Sequence, residues 1–150
     1  MGKEEKIIKK TTDELLKLLN INGEVTVELK DEIIYLVLET EDSGIVIGRH
    51  GDILESLQTI LALCISKKLD KFYRVSLEVG DYKKNREEYL MSMLADTKDR
   101  VVRENREVVM PPLKAWERRV IHLSLQDDEE VISESVGEGK DRVLVIRPKS

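Results

Sequence analysis

The sequence predicts an α+β protein built as two small α/β sandwiches, residues 1–80 and 81–150, and three observations carry that expectation. Apolar residues recur at helical spacing in some stretches and alternate with polar ones in others, in the order α-β-β-α-α-β and then α-β-α-β-β. Gly80 closes an alternating stretch, and the pattern then changes to a long, charged helix, which puts the boundary there. With 41% apolar and 37% charged residues, the composition is that of a globular protein and not of a disordered chain.

The elements follow in order. "TTDELLKLLN" sets Leu15, Leu16 and Leu19 on one face, with Thr11 and Glu14 in a capping-box pattern and "NING" as a stop, so a helix spans about 4–20. "EVTVELK" alternates Val25, Val27 and Leu29, and "IIYLVLE" is rich in β-formers, giving a hairpin across Asp31-Glu32. "EDSGIVIG" suits only one or two helical turns. Leu54, Leu57, Leu61 and Cys64, spaced by three and four, mark a helix over about 52–69 in which Cys64 reads as core. "YRVSLEVG" returns to strand through Val75, Leu77 and Val79. Leu90, Met93, Leu94 and Val101 then share one face of a helix running to about 105. "EVVM" is a short strand, and Pro111-Pro112 read as the first turn of another helix, where a missing N–H costs nothing. Leu113, Trp116, Val120 and Leu123 are its expected apolar stripe, and two strands around Gly-Glu-Gly-Lys-Asp close the chain.

Charge and composition exclude several classes. The net charge is −5, and residues 1–80 hold 11 basic against 15 acidic side chains while 81–150 hold 14 against 15, so neither half is basic. Nucleic-acid binders usually carry a basic stripe; a polyanion site here has to be small and local. The acidic pairs and runs at 31–32 and 127–130 read as solvated loops. The single Cys64 allows no internal disulfide, and no cluster has metal-ligand spacing, so no metal or other cofactor is expected. Two histidines, one thiol and no nucleophile–base motif argue against an enzyme. "MGKEEKIIKK" lacks an apolar signal region, and no run approaches the ~18 apolar residues of a spanning helix, which implies a cytoplasmic protein without membrane insertion.

Within "SGIVIGRHGDILESLQ", Gly48-Arg49-His50-Gly51 lies between two helical pieces, with Asp52 and Glu55 as a cap for the second. Glycines let a phosphate backbone lie against the chain, the helix start favours an anion, and Arg49 and His50 supply donors. A tight helical corner that needs glycine only for positive φ fits the same four residues. In its context, the loop resembles that of the bacterial, type II KH domain, whose G-x-x-G loop clamps a backbone of about four nucleotides. The resemblance covers residues 1–80 and nominates Ile45, Val46 and Ile47 for an apolar groove beside the loop, against plain core burial.

In "WERRVIHLSLQ", Arg118 and His122 are four apart and so neighbours on one helix face, opposite the expected apolar stripe, with Arg119 beside them. A guanidinium fork with an imidazole suits a phosphate or a stacked base; a solvated helix surface is the plain alternative. The helix and its surroundings resemble the R-three-H domain, a single-stranded nucleic-acid module named for that spacing. The tandem, over nearly the whole chain, resembles the bacterial Jag (SpoIIIJ-associated, KhpB) family. That resemblance implies a single-stranded RNA-binding regulator tied to cell elongation, division or sporulation, with a small single-KH-domain protein as partner. Single-stranded DNA as a ligand and a homodimer stay open. Many members carry a further N-terminal domain, absent from this sequence, which puts roles depending on it in doubt. A protein-interaction adaptor without direct RNA binding is the alternative of a different class.

Overall fold

Helix α1 (Lys3–Leu18) opens where the Gly2 N–H donates to the Glu5 carboxylate at 2.8 Å. The helix starts within a residue of the expected position, but its cap is at Gly2 and not the Thr11 capping-box pattern, nine residues later, because "KEEKIIKK" already places Ile8 in the core. Thr11 and Thr12 are therefore buried inside the helix, and the Thr12 hydroxyl donates to the Ile8 carbonyl at 2.8 Å. Leu16 is buried with Ile8, whereas Leu19 is the C-cap and 51% exposed.

Strands β1 (Glu24–Lys30) and β2 (Ile33–Glu39) form the hairpin, with Val27 opposite Leu36, and β3 (Arg74–Val79) runs parallel to β2 with Leu77 opposite Leu36. A parallel pair needs a long crossover. Here α2 (Ser43–Ile47), a single turn of 3-10 helix (Arg49–Gly51) and α3 (Asp52–Leu69) supply it. One face of the β1-β2-β3 sheet meets the helices through Val25, Ile34, Leu36, Leu38, Leu77 and Val79, while Tyr35 and Val37 on the other face are exposed. The free edge of β1 is covered by α1: Lys9 Nζ donates to the Val25 carbonyl at 3.1 Å, and the Leu29 N–H joins that of Gly2 in holding the Glu5 carboxyl below its ordinary range. An unpaired edge invites strand addition, and these side chains occupy two of its backbone groups.

The computed structural model describes all of residues 1–150, and the chain divides into two compact units, Met1–Tyr82 and Lys83–Ser150. Helix α4 (Tyr82–Glu104) contributes Leu90, Leu94 and Val101 to the second core, facing a sheet ordered β4 (Val108–Val109), β6 (Val143–Pro148), β5 (Val131–Val136). All its pairs are antiparallel, with Val145 of β6 opposite both Val109 and Glu134.

Helix α5 (Ala115–Ser124) departs from expectation in two ways. It begins after the prolines, because a residue before proline is held extended, which removes Met110 and Pro111 from a helical start. The helix opens instead at Lys114, whose N–H donates to the Glu117 carboxylate at 2.9 Å. Its buried face is also rotated: Ile121 is fully buried with Leu113, Glu117 and Leu125, whereas Trp116 and Val120 are half-buried and Leu123 is 55% exposed. Cys64 of α3 is half-buried and not core, since Leu54, Leu57, Leu61 and Ile65 take the inward positions.

Candidate nucleic-acid interface

Gly48 follows α2 with φ 71 and ψ −168, a region open essentially to glycine alone. A Cβ there would sit 2.6 Å from Cγ1 of Ile53. Gly51 is left-handed at φ 77, and its Cβ would meet the Tyr82 hydroxyl at 2.9 Å, so Tyr82 supports the loop from below. Gly48 is thus favoured twice over, by backbone conformation and by space, whereas Gly51 sits in a left-handed region that other residues of this chain also adopt. Between them Arg49 and His50 are exposed, His50 itself left-handed at φ 54.

The N-cap of α3 falls on Gly51, and Asp52, expected as the cap, stands with Glu55 inside the first turn. Those carboxylates already complement the helix dipole. Attraction for a phosphate has to come from Arg49, His50 and the loop backbone. Of the three groove candidates, Val46 is fully buried core, Ile47 is half-buried against that core, and Ile45 is 69% exposed. Ile45 alone of the three presents an open apolar surface.

On α5, Arg118 and His122 lie at the margin of the buried face and not opposite it, a consequence of the helix rotation. Half-buried Arg118 donates from Nη1 to the Leu113 carbonyl at 2.6 Å, which fixes its guanidinium against the chain. Exposed His122 engages Ser133 Oγ of β5 through Nδ1 at 2.8 Å. A ring held by one nitrogen presents the other, Nε2, to a ligand. Arg119 is exposed on the same helix.

No local pattern pointed to Ser133, which is eleven residues from His122 on another element. Glu117 was equally hidden: its side chain, 2% exposed, meets Arg86 Nε of α4 at 2.6 Å and fixes the start of the helix that carries Arg118 and His122. The spacing of Glu117 from Lys114 was the one available signal, that of a helix cap. On α3, Ile53, Ile60 and Leu63 form an exposed apolar stripe, 49%, 47% and 62% exposed, at spacings of seven and three.

Comparison with known proteins gives two domain matches: the KhpA/KhpB KH domain over residues 5–79 and the R-three-H domain over residues 88–148. The chain is 31% identical to the RNA-binding protein KhpB of Clostridium symbiosum, across 91% of this chain and 63% of that protein. It is 27% identical to the RNA-binding protein KhpB of Bacillus subtilis, across 85% and 62%, and 29% identical to that of Streptococcus pneumoniae, across 75% and 34%. The chain thus matches less than two thirds of the length of each of these relatives.

Proposed function

Since the chain belongs to the KhpA/KhpB family of KH domains, with an R-three-H domain following, we propose that it is a single-stranded RNA-binding regulatory protein and not an enzyme. The observation that carries this reading is the Gly48–Gly51 loop. Its shape accounts for the glycines; it does not account for an exposed arginine and histidine at the tip. Those two side chains and the loop backbone clamp the phosphates of about four nucleotides, with Ile45 beside them as an apolar contact. Arg118 and His122, with Arg119 next to them, make a second contact. Single-stranded DNA offers the loop the same phosphates.

The exposed α3 stripe is a surface a protein partner could cover, and family resemblance names a small single-KH-domain protein, with a second copy of this chain as the alternative. A role in cell elongation, division or sporulation rests on family resemblance alone. An adaptor that binds only proteins would use the same stripe and would leave the loop idle. The double substitution Arg49→Asp with His50→Asp separates the two readings, because it reverses the charge at an exposed tip and keeps both glycines. RNA affinity is expected to fall at least tenfold with an unchanged melting temperature. Retained wild-type affinity overturns the clamp.

A further inference from the structure

Six aromatic residues serve the whole chain, and two of them lie in the second unit. Trp116 packs against the second core; Tyr89 of α4 is 57% exposed. The Tyr89 ring is not a loose surface side chain. The guanidinium of Arg86 lies over it, with Cζ 5.1 Å from the ring centroid. Arg86 in turn is fixed by the buried carboxylate of Glu117 at 2.6 Å, and Glu117 also accepts the Lys114 N–H at 2.9 Å. A cation over one face restrains and polarises the ring. What remains is an aromatic surface open to solvent, linked through Arg86 and Glu117 to the start of the helix bearing Arg118 and His122.

We infer that Tyr89 is a stacking platform for one nucleobase of a bound single strand, an apolar contact additional to the phosphate contacts of Arg118 and His122. This rests on the RNA-binding reading. Every base has a π-face, so the platform adds affinity without fixing sequence, and it needs a ring but no hydroxyl. Glu117 keeps Arg86 from swinging out to a phosphate, which assigns the arginine to holding the ring.

The test uses the intact chain, short single-stranded RNA, and the same RNA with single abasic sites placed along it. Tyr89→Ala and Tyr89→Leu are expected to weaken binding about fivefold or more, and Tyr89→Phe by less than about twofold. Leu keeps apolar bulk on the helix and removes only the ring, so it controls for packing. One abasic position is expected to weaken the wild type while leaving Tyr89→Ala unchanged, which marks the stacked base. Wild-type affinity in both Tyr89→Ala and Tyr89→Leu, or the same loss in every variant at every abasic site, overturns the platform and leaves RNA binding standing. A wild-type chain that captures no RNA overturns the RNA-binding reading and the platform with it.

Discussion

Glu117 holds a carboxylate in a side chain that is 2% exposed, and Arg86, 17% exposed, answers it. Removing one partner of such a pair leaves a buried charge without compensation, at a cost of about 3–5 kcal/mol. Glu117→Ala should lower the unfolding free energy by that amount in urea titration; a loss near zero would show that water already reaches the pair. Asp128 behaves differently from its acidic neighbours. It was expected in a solvated run, but Lys98 Nζ donates to it at 2.6 Å and the N–H groups of Glu130 and Val131 at 2.8 and 3.0 Å. The Lys98 hydrogen bond foremost, then the backbone donors, lowers its pKa from 3.8 to about 2. A folded pKa below the unfolded value contributes stability that is present above pH ~4 and lost as pH falls through about 2. Asp128→Asn should therefore lower stability at pH 7 and flatten its decline between about pH 4 and 2, as read by urea unfolding across that range. An unchanged acid limb would assign the decline to other carboxylates.

At the scale of elements, the corner between α2 and α3 depends on glycine more than on charge. Gly48→Ala should cost about 1–3 kcal/mol, from its backbone region alone, with the Ile53 collision adding to it. Thermal unfolding compares it with the Arg49→Asp, His50→Asp pair, for which no change is expected; a neutral Gly48→Ala would mean that the loop relaxes freely. This corner was legible in the sequence because glycine spacing, helix periodicity and strand alternation are all local signals. The rotation of α5 was not. Leu113, Trp116, Val120 and Leu123 make a plausible stripe, and the competing one through Ile121 and Leu125 has a glutamate in its middle. Only the arginine 31 residues earlier makes that glutamate a core residue, and no local pattern announces a partner at that distance. The same holds for His122 and Ser133. Residue types at the candidate contacts could be named from the sequence, but the groups that orient them could not.

For the whole molecule, a net charge of −5 sets the terms on which the proposed RNA binding can occur. Long-range attraction cannot gather a polyanion here, so affinity has to come from short contacts at a few residues. That makes it countable. If the loop and the Arg118, Arg119 and His122 contact together neutralise about four phosphates of a single strand, the slope is near −0.7 for each, or about a 50-fold weakening between 50 and 200 mM salt. The measurement that tests the account most directly is this salt titration on short single-stranded RNA, run on the intact chain and on the Arg49→Asp, His50→Asp variant. The expected result is a slope near −2.8 for the wild type and a clearly shallower one, at lower affinity, for the variant. A flat wild-type titration, or the same slope and affinity in both proteins, would contradict the phosphate clamp.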